Sequence, residues 1–453
     1  MTTQNMNRDV WHLAGPIILS NVSVPLLGAV DTAVVGHLPG AHYIGGVAIG
    51  SLIFSFVYWG FGFLRMGTGG LTAQAYGAGN ADEVRSVFAR AALLALILGL
   101  VVLILQWPVG ELAFLLLDAS DDVEELAQSY YAIRIWGAPA ALLNYAMVGW
   151  FIGIRDARSA LIMQVAMNGT NIVLDLWFVM GLELGVEGVA WATLISEVGA
   201  IAIGAILMGR NLWRVGGTWK IPEIFDGARL ARLLAVNRDI FIRTLGLQLS
   251  FAAFTAIGAR MGDAVLAANA VLMIFQSIMA YALDGFAHAA EALAGGYLGA
   301  GKRAEFRHAV KVSSLWALAF AAFFTVLYGL FGGLIIDAIT DISEIRLLAR
   351  DYLLWTIVSP LVSVWSFQLD GIFIGATRTA DMRNAMLQAV VVYAAALVLL
   401  VPAFGNHGLW AALMVLMVAR AVTLGIRYPA LERSIDQATK RRSSLGVRSK
   451  NSR

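Results

Sequence analysis

The sequence predicts an all-α integral membrane protein with about twelve transmembrane helices, arranged as two six-helix bundles. Three observations carry that prediction. The 453-residue chain is 59% hydrophobic and only 14% charged, where a soluble chain carries about 25% charged residues; its mean hydropathy is +0.74. The apolar residues fall in repeated runs of roughly 20, the length a helix needs to cross hydrocarbon. They are not the short alternating segments of a transmembrane β-barrel. Finally, a set of motifs recurs in the two halves of the chain in the same membrane direction, which marks a parallel duplication.

Taken in order, the apolar runs stand near 11–37, 44–75, 86–107, 127–153, 159–181, 186–209, 239–262, 265–297, 309–333, 347–376, 384–402 and 407–428. The second and eighth exceed what a bilayer requires, so they should tilt or protrude. The first is too long for a cleavable signal peptide and lacks a small-residue cleavage pattern. Loop charges orient the set. "GAGNADEVR" follows span 2, "RDAR" follows span 4 and "GAGKRAEFRHAVK" follows span 8, whereas the opposite loops read "LDASDDVEEL" and "LELGVEG". Basic loops stay inside, so both termini are expected in the cytoplasm.

The repeat divides the chain. "GAGNADEVR" at 77 and "GAGKRAEFR" at 299 lie 222 residues apart, as do "FIGIRDAR" at 151 and "FIGATRTA" at 373. The expected organisation is an amino-terminal lobe over 1–209, a basic cytoplasmic linker over 210–238, a carboxy-terminal lobe over 239–430 and a basic tail over 431–453. Within the linker, "EIFDGARLARLLAV" reads either as an amphipathic helix on the inner leaflet or as part of a solvated basic loop. Two facing bundles leave a cleft, the usual home of a substrate site in transporters. The absence of cysteine excludes disulfides, thiolate metal sites and cysteine nucleophiles.

Polar residues inside the apolar runs are the functional signal, because an unpaired charge in hydrocarbon costs several kcal/mol. Asp31 in "LLGAVDTAVVGHL" and Asp175 in "NGTNIVLDLWFVMGL" each lie about six residues before the outer end of their span, so they share a depth. Gln164, Asn168, Asn171 and Asp175 recur at spacings of four, three and four, one helical stripe. Two neighbouring carboxylates in low dielectric cannot both ionise cheaply, so such a pair can hold a proton near neutral pH.

In the second half, Asp284, His288 and Glu291 form another stripe, and "FQLDGIFIGATR" adds Gln368 and Asp370. These residues are expected either to bind a cationic substrate or relay protons, or to form a polar lock between helices. For Asn168 the alternative is packing. Arg65 is expected to snorkel towards the cytoplasmic surface. Glu197 falls mid-span without an assignable role.

"VPLLGAVDTAVVGHL", "FLRMGTGGLTAQAYGAGN", "NIVLDLWFVMGL", "ALDGFAHAAEA" and "LDGIFIGATR" together resemble the multidrug and toxic compound extrusion (MATE) family, and within it the DNA-damage-inducible F (DinF) branch. The resemblance runs from about Trp11 to Arg427. It implies a monomeric, multi-pass antiporter of the bacterial inner membrane. Organic, often cationic, amphipathic compounds would leave in exchange for inward protons, without any cofactor. The family's coupling site matches Asp31, Asn171 and Asp175, and Pro25 matches a position where the first span is proposed to hinge. Span 7 offers Gln248 but no acid, which departs from the sodium-binding pattern of the NorM-type branch.

Sodium coupling and a lipid or lipid-linked precursor flippase are the alternatives. A flippase should show basic groups for phosphate heads, whereas the intramembrane charges read as mainly acidic. No Walker lysine motif and no HExxH occur, and nothing points to nucleic acid. An enzyme is therefore not expected.

Overall fold

A computed structural model describes residues 3–38, 40–117 and 120–436. The basic tail expected over 431–453 lies outside the described residues from 437 onward. The chain runs as α1 (Thr3–Val35), α2 (Ala41–Gly60), α3 (Phe63–Gly77), α4 (Ala81–Ile104), α5 (Gln106–Leu117), α6 (Asp121–Arg134) and α7 (Ala138–Gly153). It continues as α8 (Ala157–Asp175), α9 (Gly185–Val215), the single turn α10 (Ile221–Ile224), α11 (Gly227–Ala259), α12 (Asp263–Gly299), α13 (Arg303–Ile339), α14 (Ser343–Gly375) and α15 (Thr379–Gly425).

Ten helical stretches among the described residues are long and apolar enough to cross a bilayer. The last of them holds two of the expected spans. At Gly405, three residues past Pro402, φ is 57° and ψ is −130°, outside any helix. Gly408 then packs on the carbonyl of Leu400, which a continuous helix would hold about 12 Å away. The 33 residues of α1 reach about 50 Å and supply the remaining span. All twelve expected runs are therefore helical, in a multi-pass membrane fold.

Several boundaries move. The acidic outer segment is already helix, because Asp121, Asp122 and Glu124 occupy the first turn of α6, where carboxylates suit the positive end of the helix dipole. The connection expected over 210–238 is also shorter. α9 persists to Val215, and "GARLARLLAV" is the start of the long helix α11, with only residues 216–226 and the turn α10 between them. No separate surface helix forms from that stretch.

The duplication is written into the backbone. Gly79 (φ 68°) and Gly301 (φ 70°) both take left-handed conformations that end a helix, and so do Arg155 (φ 64°) and Thr377 (φ 51°). Each pair lies 222 residues apart. The turns share their hydrogen bonds: the amide of Asp156 donates to the carbonyl of Phe151 at 2.9 Å, and that of Arg378 to Phe373 at 3.0 Å.

Two compact units result. The amino unit comprises Leu19–Thr72 and Asn80–Leu234; the carboxy unit comprises Met1–Ile18, Ala73–Gly79 and Ala235–Arg453. Inside the carboxy unit, α12 and α14 touch backbone to backbone. Gly371 lies against the carbonyl of Ala287 and Gly375 against that of Glu291, so a Cβ at either position would collide with main chain. Small residues allow such approach between membrane helices. In the amino unit, Gly46 and Gly50 of α2 make room for Leu126 and Tyr130 of α6.

Candidate functional site

The stripe on α8 forms as its spacing predicts, with Asn168, Asn171 and Asp175 all buried. Asp156 starts the helix by accepting from the amide of Ser159 at 3.2 Å, a side-chain cap. At its far end, directly after Asp175, the α-helix widens into a π turn over Leu176–Gly181. Such turns concentrate at functional positions because they re-aim one side chain.

Asp175 and Asp31 of α1 are neighbours and act on each other electrostatically. Two carboxyl groups side by side in low dielectric cannot both ionise cheaply, so such a pair can share one proton. Asn171 braces the pair. With its amide nitrogen facing Asp175, the orientation that satisfies both amide atoms, it donates to Asp175 Oδ2 at 3.0 Å and accepts from the Thr193 amide at 3.1 Å. Asp31 also lines a cavity of about 270 Å³ with Gly28, Val35, Ile44, Val47, Ala48 and Ser51. That space is below the roughly 300–1,000 Å³ of organic-ligand pockets and suits water or a small ion.

Asn168 belongs to a different chain of contacts. It accepts from Gln164 Nε2 at 3.0 Å and donates to Ser23 Oγ on α1 at 2.8 Å, and Ser23 in turn donates to the Ser20 carbonyl at 2.7 Å. These bonds tie α8 to α1, which is the packing reading. Pro25 lies within α1 with its ring exposed.

Beyond the carboxyl pair stands Arg134, at the last residue of α6. Its guanidinium lies 4.7 Å from the Phe54 ring centroid, 5.8 Å from Tyr130 and 5.9 Å from Tyr58. Arg134 Nη2 is 3.6 Å from Glu197 Oε1, which gives the glutamate of span 6 a partner. Arg65 lies half-buried in the first turn of α3 and acts electrostatically on Tyr145 of α7.

The carboxy unit assembles its polar residues differently. Asp370 Oδ2 is ion-paired to both Arg243 of α11 and Arg420 of α15, with the latter contact at 2.6 Å. Asp284 acts on Arg420 from α12. These four charges balance, and all sit within the helices. His288 Nδ1 lies 3.4 Å from Glu291 Oε2, and Glu291 is fully buried. Gln248 and Gln368 are buried as well. For Asp370, the contacts match an inter-helical lock and leave no free charge for a cationic substrate.

Reading the acids alone missed Arg134, Arg243 and Arg420, although each interrupts an apolar run as plainly as Asp31 does. The expectation that intramembrane charge is mainly acidic is therefore corrected. The contrast drawn from it against a flippase falls with it.

The sequence model of the MatE family matches residues 16–177 and again 240–400, once in each half. The chain is 43% identical over 418 residues to the DNA damage-inducible protein F of Escherichia coli K12, covering 92% of this chain and 91% of that protein. It is 27% identical to human multidrug and toxin extrusion protein 1 over 71% of this chain and 56% of that one. A solved structure described as the outward-facing conformation of a multidrug resistance MATE family transporter superposes with a TM-score of 0.85 at 20% identity, over 94% of this chain and 97% of its own. With the duplicated helical fold and a neighbouring carboxyl pair in one half, these likenesses converge: the chain belongs to the MATE family of membrane transporters.

Proposed function

We propose that this protein exports organic, often cationic, amphipathic compounds in exchange for protons, and that Asp31 and Asp175 form the coupling site. The observation that carries the reading is the carboxyl pair itself. A fully buried acid, Asp175, neighbours a half-buried one, Asp31; Asn171 holds the first in place and a small cavity adjoins the second. A pair of this kind takes up and releases a proton with little rearrangement of its surroundings. Each change alters the buried charge by one, and that charge biases the unit between two arrangements. The names of the relatives, a multidrug and toxin extrusion protein among them, support organic compounds as the cargo.

On this reading the protein works as a monomer in a bacterial inner membrane. Both termini lie in the cytoplasm, as the basic loops direct. Cysteines placed at Asn80, Asp226 and Lys302 should then label only from the cytoplasmic side, and one at Asp121 only from outside. External labelling at Asp226 would overturn that orientation.

The deciding experiment loads purified protein into proteoliposomes and follows ethidium efflux under separately imposed proton and sodium gradients. A proton gradient alone should drive export. Transport driven by sodium at zero pH difference, with none driven by protons, would replace the proton by sodium. Movement of fluorescent phospholipid in place of ethidium would favour the flippase reading.

A further inference from the structure

Two charged groups of the amino unit, Arg134 and Glu197, play no part in that coupling site. Their geometry is unusual for an ion pair inside a membrane. Arginine normally grips a carboxylate with two parallel hydrogen bonds at about 2.7–2.9 Å. Here the shortest salt-bridge separation is 3.6 Å, beyond hydrogen-bonding range. Arg134 Nε and Glu197 Oε2 are both buried without a hydrogen-bond partner. The guanidinium leans instead on ring faces, above all Phe54, and reaches only the Tyr130 hydroxyl, at 3.3 Å. Ring faces attract a cation without fixing its direction, so the cradle retains the charge while leaving it free to turn.

The cluster also leads to the carboxyl pair: the Tyr130 hydroxyl that Arg134 reaches lies 3.2 Å from Ser51 Oγ, and Ser51 lines the same cavity as Asp31. Arg134 also acts electrostatically on Asp31. The titratable and charged groups that face this cluster are Asp31 on α1, Tyr58 on α2, Tyr130 on α6, Tyr145 on α7, Asp175 on α8 and Glu197 on α9, with Arg65 of α3 acting on Tyr145. The main chain at the arginine is also irregular: α6 gives way after Arg134 to a tight 3-10 turn over Ile135–Gly137, a feature common at hinges. Gly137 leaves the room that Glu197 occupies, since a Cβ there would stand 2.6 Å from Glu197 Oε2.

The geometry points to Arg134 as a counter-charge shared between Glu197 and Asp31. It turns to Glu197 while the Asp31–Asp175 pair holds its proton, and to Asp31 once the proton has left. The inference deepens the coupling reading and rests on it. With the proton bound, Arg134 and Glu197 cancel and the pair carries one negative charge. When the proton leaves, a second negative charge appears in low dielectric, and the nearby cation is drawn to it. Movement of the guanidinium would pass the protonation state of α1 and α8 on to the end of α6 and to α9. Arg134 is thus a positioning residue that acts through Asp31 without touching cargo.

The test follows the protonated-carboxyl band in acid-minus-base infrared difference spectra of the full-length protein in lipid, using as reference the part of that band which Asp31→Asn abolishes. Glu197→Gln removes the competing carboxylate and frees Arg134 for Asp31, so the midpoint of the reference band should move to lower pH by about one unit. Arg134→Gln removes the cation, and the midpoint should move to higher pH by about the same amount. An ion pair that only braces the helices, without electrostatic hold on Asp31, would lower thermal stability in both variants without moving the band in opposite directions.

If Arg134→Gln is not recovered folded, the isosteric Glu197→Gln decides alone, and an unmoved midpoint overturns the proposal. If Asp31→Asn removes no titrating band at any pH, the coupling reading itself fails. A band that is present but moves the same way, or not at all, in both variants removes only the role given to Arg134.

Discussion

In the amino unit, Asp31 faces another acid, while Arg134 stands 3.6 Å from Glu197. In the carboxy unit, Asp370 is gripped on one oxygen by Arg243 and Arg420. The helices differ in the same sense. α8 loosens into a π turn after Asp175, and α6 tightens into a 3-10 turn after Arg134. α11, α12 and α14 run without such a break for 33, 37 and 33 residues. A carboxyl group whose neighbour is another carboxyl group has an unfilled need that a proton can meet. One held by two guanidinium groups has its charge balanced and its oxygen occupied already. On the proposed reading, two copies of one backbone repeat serve different uses, one to bind a proton and the other to hold helices together.

The largest effect expected from breaking this contrast is at Asp31. Asp31→Asn keeps size and hydrogen-bonding capacity but removes the titratable proton. Proton-driven ethidium efflux should fall to the protein-free background while yield and thermal stability stay near wild type. Robust pH-driven efflux by a well-folded Asp31→Asn protein would remove the coupling assignment.

The carboxy lock should respond in stability. Asp370→Asn leaves two buried arginines without their counter-charge, which costs about 3–5 kcal/mol, so its melting temperature should drop sharply. Replacing all three members by apolar residues of similar volume (Arg243→Met, Asp370→Leu and Arg420→Met together) should recover much of that loss with efflux retained. A triple variant that is stable but inactive would instead assign these charges to transport.

A smaller change is expected at Asn168. Asn168→Ala deletes the bond to Ser23 and should cost about 1 kcal/mol, with efflux within roughly twofold of wild type. A complete loss of coupling would move Asn168 into the proton site.

The smallest effect lies in the connection between α9 and α11, where Lys220 pairs with Asp82. Hydrogen bonding to the Asp82 carboxylate holds the exposed Lys220 ammonium above its ordinary pKa. Its contribution is therefore fully present below the ordinary lysine value and is lost only as pH climbs through the raised one. Asp82→Asn should leave both melting temperature and efflux unchanged within error over roughly pH 5–8. A clear loss of activity would show that the linker clamp on α4 takes part in the transport cycle.

Much of this was legible in the residues alone. Hydrocarbon demands long apolar helices with their backbones satisfied internally, so composition and run length determined the fold class and all twelve helical spans. Motif spacing determined the duplication, and the backbone repeats it in the left-handed turns at Gly79 and Gly301 and at Arg155 and Thr377. The three-and-four spacing on α8 determined that Asn168, Asn171 and Asp175 share a face.

What spacing along one helix cannot state is which residue of another helix stands opposite. Only the tertiary structure decided that Asp31 meets Asp175, that Asn168 turns to Ser23 and that Arg134 comes to stand 3.6 Å from Glu197. It decided likewise that Asp370, an acid of the same type in a similarly apolar run, is closed off by Arg243 and Arg420. A charge in low dielectric takes its meaning from the ionisable group nearest to it. That partner is 144 residues away from Asp31 in one unit, at Asp175, and 127 and 50 residues away from Asp370 in the other.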